Sequence, residues 1–294
     1  MVEIENVALQ DEEFRLFREL IHRHAGIALT EAKRELVKAR LAKRLRLHDL
    51  DTYQSYFDLV EREGENGPEL RELINCITTN QTDFFRESHH FDFVAKELLP
   101  SHIDRVRKGK APARLRIWHA GCSTGEEPYS MAMTLRDALP AAPSVDVRQL
   151  ASDIDTNVLA IAQQGVYDED AVSKLPQNVL RKYFLKGKGD CDGLYRVRQE
   201  LQSQIVFRQI NLLDPAWPIR DDVRFDMIFC RNVVIYFDRQ TQSRLFARFA
   251  ERLKPGGHLF IGHSETLIGI CDRFKSLGRT IYQLRNPAEF TEGE

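Results

Sequence analysis

The sequence predicts an α/β protein in two parts, an all-helical N-terminal region and a mostly parallel sheet with helices on both faces. Three observations support this fold class. Apolar residues recur at helical spacing between about residues 11 and 75. Short apolar runs alternate with helical stretches from about residue 114 onward. A glycine-containing segment at about 166–203 interrupts that alternation and predicts a small antiparallel insertion.

Composition and charge narrow the class of protein. The chain of 294 residues is long enough to bury a sizeable core in two units. Its formal net charge of −2 gives no reason to expect a nucleic-acid partner. The N-terminus lacks the features of a signal peptide, and no apolar run approaches the roughly 20 residues that span a bilayer. We therefore expect a cytoplasmic protein that is not inserted in a membrane, and nothing in the sequence requires more than a monomer.

The cysteines argue against two kinds of site. All five are widely spaced, and their number is odd. No C-x-x-C pair or H-E-x-x-H motif occurs, so the sequence predicts neither a disulfide framework nor a metal site. This cysteine usage fits a reducing compartment.

The N-terminal helices include a strongly basic segment. Gly26 ends the first predicted helix, and Thr30 is the predicted cap of the second. Between Lys33 and Arg46 the chain has seven basic residues against one acidic residue, Glu35. Two interpretations are open: a solvated amphipathic helix, or a basic face that binds an acidic partner.

The segment N-Q-T-D-F-F-R-E-S-H-H-F, which begins at Asn80, is too aromatic for an ordinary linker. One interpretation is a helix anchored by its aromatic residues. The other is a lid in which Phe84 and Phe85 fix the backbone while Asn80, Thr82 and Arg86 reach a ligand. Arginine suits this role because its planar guanidinium stays charged and binds carboxylates with a fixed geometry.

The stretch Leu115–Tyr129 indicates a strand, a tight turn and the start of a helix. Ser123 or Thr124 is the predicted helix cap, and acidic residues suit the first turn. Its two glycines match neither the dinucleotide-binding fingerprint nor the phosphate-binding loop. By itself, the pattern fits an ordinary β–α turn as well as a nucleotide-like ligand site.

Polar residues follow four of the predicted strands. They are Glu127, Asp153, Asn211, Arg231 and Asn232. Asp153 alone fits a helix cap, but a carboxylate at a strand end also suits the two hydroxyls of a ribose. Because ligands of open parallel sheets bind outside the carboxyl ends of the strands, these residues together predict a ligand site.

The last third of the chain continues the alternation. A helix is predicted from about Asp238 to Leu253. Lys254–Gly257 is predicted as a turn into a strand over His258–Ile261. The stretch Arg279–Leu284 is predicted as the strand that closes the sheet.

The chain resembles the chemotaxis receptor glutamate O-methyltransferase family over about residues 10 to 285. The motifs that carry the resemblance are N-Q-T-D-F-F-R-E-S-H-H-F, A-G-C-S-T-G-E-E-P-Y-S, A-S-D-I-D, V-R-Q-E-L, N-L-L, F-C-R-N-V-V-I-Y-F-D and K-P-G-G-H-L-F-I-G-H-S-E. The resemblance implies a helical domain at 1–77, a linker or lid at 78–113, and a Rossmann-like domain dependent on S-adenosylmethionine (AdoMet) at 114–294. The insertion at about 166–203 corresponds to the family's small β-subdomain, which in some members binds a receptor peptide.

The resemblance also implies a cofactor site. Its residues are Asn80, Thr82, Arg86, Glu127, Asp153, Asn211, Leu212, Arg231 and Asn232. Glu127, rather than its neighbour Glu126, is expected to accept a hydrogen bond from the α-ammonium of AdoMet. Asp153 is expected to bind the ribose, and Asn211 with Leu212 to frame the adenine.

The implied reaction is methyl transfer from AdoMet to glutamate side chains in the cytoplasmic domain of chemoreceptors, with S-adenosyl-L-homocysteine as product. Arg86 and Tyr236 are the candidates for orienting the attacking carboxylate and the methyl donor. The basic segment Lys33–Arg46 is expected to bind the acidic methylation helices, and the loop Gly187–Gly193 a C-terminal receptor peptide. Two alternatives stay open: a receptor-docking module that binds AdoMet without turnover, and a small-molecule or RNA methyltransferase.

Overall fold

The computed structural model describes residues 7–139 and 143–286. The outer ends of the expected domains, residues 1–6 and 287–294, lie outside the described residues, as do residues 140–142. The N-terminal helices are α1 (Asp11–Ala25), α2 (Arg34–Leu47), α3 (Tyr53–Glu63) and α4 (Pro68–Ile77). Their apolar sides meet in one core, in which Phe17 and Leu41 are completely buried. The all-helical start predicted from periodicity is confirmed.

The end of α1 agrees with the sequence prediction, but the start of α2 does not. Gly26 ends α1 in the left-handed conformation, with a φ of 67°, as the sequence predicts. Thr30 makes no side-chain capping bond, so that prediction is wrong. A single 3-10 turn, Glu31–Lys33, leads into α2 instead.

The basic segment on α2 is partly directed inward. Arg40 donates hydrogen bonds to two carbonyl oxygens at the end of α4. Arg44 donates to the buried carboxylate of Glu69. Lys43 is exposed and has no hydrogen bond or ion pair with any residue in 7–139 or 143–286. Only part of the predicted basic face is therefore available to a partner.

Within the described residues, eight further α-helices follow the N-terminal part. They are α5 (His89–Phe93), α6 (Leu99–Arg107), α7 (Glu126–Ala138), α8 (Thr156–Gln164), α9 (Glu169–Val172), α10 (Gln177–Tyr183), α11 (Gln199–Gln202) and α12 (Arg239–Arg252). A π-helical turn, Val94–Leu98, joins α5 to α6. Among the helices of the described ranges, none has the length and apolar character needed to cross a membrane.

The strands form two sheets. They are β1 (Arg114–Ala120), β2 (Asp146–Asp153), β3 (Val166–Asp168), β4 (Phe184–Lys186), β5 (Leu194–Val197), β6 (Ile205–Gln209), β7 (Phe225–Cys230), β8 (Leu253–Ile261), β9 (Phe274–Gly278) and β10 (Ile281–Leu284). The main sheet has the order β6-β2-β1-β7-β8-β10-β9, and its first five strands are parallel. The strands β3, β5 and β4 form the small antiparallel sheet predicted for the insertion.

Helices cover both faces of the main sheet, as the sequence predicts. Alternate residues of β1 enter two separate cores because successive side chains of a strand point to opposite faces. Trp118 packs in the core that contains Phe246 of α12. Ile117 packs in the core that contains Met131 of α7. Because helices cover both faces of the sheet, the edge at the carboxyl ends of the parallel strands is the part that remains open to a ligand.

Two predictions for the last third of the chain were wrong. Lys254–Gly257 is not a turn, because the single strand β8 runs through it, with an irregular register against β7. The strand β9 was not predicted, and β10 lies between β8 and β9 as an inner strand instead of closing the sheet. Only Phe274 of β9 is buried, so this strand has no alternating apolar pattern to reveal it.

Candidate active site

An open cavity of about 190 Å³ lies between the N-terminal helices and the carboxyl ends of the parallel strands. Its walls include all ten residues that the sequence analysis assigned to the site: Asn80, Thr82, Arg86, Glu127, Asp153, Asn211, Leu212, Arg231, Asn232 and Tyr236. Residues near the first two helices, such as Ile27, Leu29 and Lys33, line the same cavity. The fold therefore brings distant stretches of the chain to one place.

Unusual backbone conformations occur in the cavity wall. Gly121 ends β1 with a φ of 100°, and a Cβ at this position would lie 2.3 Å from Cγ2 of Val233. Glycine is required there by both conformation and space. Ser123 and Asn232 have φ values of 48° and 59°. Non-glycine residues rarely adopt such angles, and those that do concentrate at functional sites.

The start of α7 corrects the predicted helix cap. The helix begins after Gly125, which has a φ of 98°, and neither Ser123 nor Thr124 caps it. The Ser123 N–H donates to the Asp153 carboxylate at 2.8 Å. The Thr124 hydroxyl bonds the Glu126 carboxylate at 2.7 Å. The contact of Ser123 joins the turn after β1 to the end of β2.

Glu127 is the carboxylate that α7 presents to the cavity. Its Oε1 lies 2.7 Å from Nδ1 of His119, and its Oε2 accepts a hydrogen bond from Arg231 at 3.0 Å. Burial acts to raise the pKa of Glu127, but the His119 hydrogen bond and the Arg231 charge outweigh it, and the pKa is lowered. Glu127 is therefore a charged group in a largely buried setting.

Glu126 differs from Glu127 in its position relative to the cavity, in its partner and in the direction of its pKa shift. It is 6% exposed, does not line the cavity, and contacts Thr124. Burial raises the pKa of its carboxyl group. The geometry therefore favours Glu127 for a cationic ligand, which agrees with the choice made from the sequence.

Asp153 stands at the end of β2 with its carboxylate in the cavity wall. It accepts backbone N–H bonds from Ser123 at 2.8 Å and Asp155 at 3.1 Å. Burial raises its pKa. The alternative that Asp153 caps the next helix is wrong, because the Asp155 side chain caps α8.

Asn211 and Leu212 line the cavity beyond β6. The Asn211 side-chain amide donates to the His24 carbonyl at 2.6 Å and accepts from the Leu213 N–H at 3.0 Å. Both ends of this amide are therefore engaged within the protein. The backbone of Asn211 and the apolar side chain of Leu212 remain as the groups that this stretch offers to a ligand.

Arg231 and Asn232 follow β7, and Arg231 mainly organises other residues. Arg231 is 7% exposed, donates to Glu127 and to the Arg86 carbonyl, and lies 3.5 Å from the Glu87 carboxylate. The Asn232 N–H donates to Glu265 at 3.0 Å. Arg231 thus ties the Glu127 carboxylate to the segment that carries Arg86.

The segment that begins at Asn80 combines features of both predicted alternatives. Phe84 is buried, with its ring 4.9 Å from that of Tyr167, so an aromatic residue does anchor the segment. The chain is not helical until α5, and Asn80, Thr82 and Arg86 line the cavity. The Asn80 amide donates to a carboxylate oxygen at the start of α8, at 2.7 Å. The segment therefore forms a fixed polar wall.

Tyr236 lies in a 3-10 turn, Val234–Tyr236, that precedes α12. Its carbonyl accepts the Ala28 N–H at 2.8 Å, so this turn is joined to the N-terminal part. The ammonium group of Lys33 lies 4.9 Å from the centre of the Tyr236 ring. Lys33 and Tyr236 thus face the cavity together from the two parts of the protein.

Comparison with known proteins decides the family. Residues 12–78 match the all-alpha domain of CheR methyltransferases, and residues 80–283 match their SAM-binding domain. The chain belongs to the CheR methyltransferase family. It is 45% identical over 280 residues to the chemotaxis protein methyltransferase of Escherichia coli, a match that covers 95% of this chain and 93% of that protein. It is 43% identical over 280 residues to the Salmonella typhimurium protein of the same name, a match that covers 95% of this chain and 92% of that protein. It is 44% identical over 271 residues to chemotaxis protein methyltransferase 2 of Pseudomonas aeruginosa, and this match covers 92% of each chain.

As a member of the CheR family, the protein is an AdoMet-dependent methyltransferase, and AdoMet is its cofactor. The described residues suit that molecule. Glu127 offers a charged carboxylate for an ammonium group, Asp153 offers an acceptor for hydroxyls, and Leu212 offers an apolar surface for a base.

Three residues that support the CheR site were not assigned a role from the sequence. His119 contacts Glu127, Glu87 contacts Arg231, and Glu265 binds the backbone of Asn232. His119 interrupts the apolar run of β1, which is a signal that could have drawn attention to it. The Glu87 carboxylate and the imidazoles that follow it lie within 4.8 Å of one another, and the Arg231 cation lies 3.5 Å from that carboxylate.

Proposed function

We propose that the protein transfers a methyl group from AdoMet to glutamate side chains of chemoreceptors. The observation that carries this proposal is the shared cavity. Its lining includes Glu127 and Asp153 from the sheet and Lys33 from the helical part. A receptor helix bound by the N-terminal part would meet the cofactor at this cavity. The chemotaxis names of the relatives support a receptor as the substrate.

The proposed cofactor contacts follow from the chemistry of the cavity wall. Glu127 accepts from the α-ammonium, and Asp153 from the ribose hydroxyls. The Asn211 backbone and the Leu212 side chain hold the adenine. Arg231 acts mainly through Glu127, to which it donates, and Asn232 completes the wall with its backbone N–H bound to Glu265. Asn80 and Thr82 complete the wall of the cofactor site.

The attacking group in this proposal is a substrate glutamate. A free glutamate has a pKa of about 4.3 and is ionised near neutral pH, so no strong general base is needed. AdoMet supplies an electrophilic methyl group on its sulfonium. Positioning by the protein is the main catalytic task, and it is worth up to roughly 7–11 kcal/mol in favourable cases. We assign to Arg86 and Tyr236 the orientation of the carboxylate against the methyl donor.

We also propose a division of the chain by function. Residues 1–77 recognise the receptor, residues 78–113 link and partly enclose the site, and residues 114–294 hold AdoMet. The two family matches meet at residues 78–80, which supports the first boundary. The reaction would take place in the cytoplasm, where the methylated part of a chemoreceptor lies, and a monomer would suffice for it.

Transfer of radiolabelled methyl groups tests the main proposal. The protein is incubated with labelled AdoMet and receptor-containing membranes, and released methanol is counted after base treatment. Base-labile label on the receptor indicates a carboxyl methyl ester. Label on RNA or on a small molecule would favour the alternative methyltransferases, and AdoMet binding without transfer would favour a docking module. The Tyr236→Phe variant is expected to lower the rate while leaving AdoMet affinity unchanged.

The receptor contact of the basic face is tested by charge reversal. Arg40 is unsuitable because it holds the carbonyl groups at the end of α4, so a reversal there would disturb the fold. We choose Lys43→Glu, with Lys110→Glu as a control of equal charge change at another exposed site. Lys43→Glu is expected to slow receptor methylation at unchanged AdoMet affinity. An equal slowing by both variants would contradict a specific role for the α2 face.

The loop Gly187–Gly193 is proposed to bind a receptor C-terminal peptide. The loop joins β4 to β5, and the side chains of Leu185 and Leu194 at its two ends are exposed. A Cβ on Gly187 would lie 1.8 Å from the Cys191 carbonyl, so Gly187→Ala must rearrange the loop. Calorimetry with the C-terminal peptides of the host's receptors should detect binding that this variant weakens. Absence of binding to every such peptide would refute this part of the proposal.

A further inference from the structure

His119 is completely buried in β1, and both of its ring nitrogens face oxygen atoms. Nδ1 lies 2.7 Å from Oε1 of Glu127, and Nε2 lies 2.9 Å from Oε1 of Gln149. The ring also stacks on Phe229, with 5.2 Å between the ring centres and 24° between the planes. The imidazole is therefore held in one orientation.

The contacts of His119 restrict its protonation state. A neutral imidazole has only one N–H and cannot donate to both oxygens. An imidazolium could do so, but it would place a second cation beside Glu127, which already binds Arg231. It would also leave the Gln149 amide nitrogen, which is buried, without a partner. Burying an extra charge and an unpaired donor is costly.

A half-turn of the Gln149 amide removes this conflict. The amide nitrogen then lies where the oxygen was and donates to Nε2 of His119. The Nδ1–H of the neutral ring donates to Glu127. The amide oxygen then occupies the position in which the amide nitrogen had no partner. Buried carbonyl oxygens without a partner are less rare than buried N–H groups without one.

From these contacts we infer that His119 is a positioning residue, fixed by Gln149 as the neutral Nδ1–H tautomer, that orients Glu127 for the ammonium group of AdoMet. This inference rests on the proposed role of Glu127. A carboxylate has about four acceptor positions. One bond from His119 and one from Arg231 fill two of them and fix the plane of the group. The remaining positions stay available to the cavity.

Two substitutions of His119 separate the donor from the volume of the ring. In His119→Asn the amide nitrogen occupies nearly the place of Nδ1, so the bond to Glu127 is kept. In His119→Gln the amide nitrogen occupies nearly the place of Nε2, so that bond is lost. We expect AdoMet affinity within about 3-fold of the unsubstituted protein for Asn and roughly 10-fold weaker for Gln. The difference between the two variants should lie in the KM for AdoMet rather than in kcat.

The coupling to Glu127 gives a second test. His119→Gln should have no further effect on AdoMet affinity in a Glu127→Gln background, because the residue acts through that carboxylate. A further 10-fold loss in that background would show that His119 acts in another way. Thermal unfolding of each variant identifies any that fails to fold, and if the Gln variant does not fold, the NMR measurement on the unsubstituted protein decides the outcome.

The tautomer is observable directly in the unsubstituted protein by ¹⁵N NMR of labelled histidine. Protonated Nδ1 and unprotonated Nε2 on His119 are expected. Two protonated nitrogens, or a proton on Nε2 alone, would overturn the inference. Failure of the unsubstituted protein to bind AdoMet in calorimetry would instead refute the proposed cofactor contact of Glu127. The NMR result would still decide whether His119 donates to Glu127.

Discussion

Two glutamates in this protein, the buried Glu69 and the partly buried Glu127, have similar partners and different surroundings. Glu69, in the helical part, accepts two hydrogen bonds from Arg44, at 2.8 and 2.6 Å. It also contacts Tyr56 at 2.7 Å and His48 at 2.8 Å. Glu127 contacts one histidine and one arginine and lines the cavity. Each is a carboxylate held by an arginine and a histidine.

The difference lies in how many acceptor positions are filled. Glu69 uses all of its roughly four positions inside the protein, whereas Glu127 uses about two. In both residues burial acts to raise the pKa, and hydrogen bonds and nearby cations outweigh it, so both pKa values are lowered. Burial and the direction of the pKa shift therefore do not distinguish Glu69 from Glu127, the carboxylate that we propose binds AdoMet. The two residues differ in the unfilled acceptor positions of Glu127, which lines the cavity.

The largest expected effect comes from Glu69→Gln. Neutralising this carboxylate leaves the Arg44 guanidinium, 15% exposed, without its closer and more buried charge partner. Breaking a buried pair in this way costs about 3 kcal/mol of unfolding free energy. Denaturant unfolding measures the loss, and calorimetry should find AdoMet affinity unchanged. Glu72→Gln is the control, because Glu72 is 37% exposed and 3.7 Å from Arg44, and its loss should cost less than about 1 kcal/mol.

The sequence predicted most of the helices and strands and the residues that line the cavity, but not the difference between Glu69 and Glu127. Helical periodicity and apolar runs are local, and they placed the helical part, the strands β1 and β7, and the polar strand ends. The partners of Glu69 lie 13, 21 and 25 residues away in the sequence, so no local pattern connects them. Strand β9 was missed for a related reason, since its position depends on pairing with β10 and not on its own pattern.

The choice between Glu126 and Glu127 likewise depends on geometry that a local sequence pattern does not reveal. Adjacent residues on a helix point in directions about 100° apart, and the sequence alone does not say which one faces a ligand. Here the left-handed Gly125 sets the direction in which α7 leaves the turn. The resulting geometry turns Glu127 toward the cavity and Glu126 toward Thr124.

A smaller effect is expected for Glu127→Gln. Replacing a charged acceptor of the AdoMet ammonium by a neutral amide should weaken binding by about 2 kcal/mol, roughly 30-fold. Glu126→Gln is the matched control, since it makes the same change one residue away from the cavity wall, and its AdoMet affinity should stay within about 3-fold. Calorimetry on the two variants decides the point. Equal weakening in both would mean that the cavity geometry does not select Glu127.

The smallest expected effect is the pH dependence of the Glu69 contribution. The pKa of Glu69 in the folded protein lies below its ordinary value of 4.5, so the unfolded chain binds the proton more readily. The stability that ionised Glu69 provides is fully present above that ordinary value and is lost as the pH falls through the folded pKa. The unfolding free energy of the unsubstituted protein minus that of Glu69→Gln should therefore be constant above about pH 6 and shrink below pH 4.5. A difference that stays constant in acid would mean that Glu69 contributes through packing and hydrogen-bond geometry rather than through its charge.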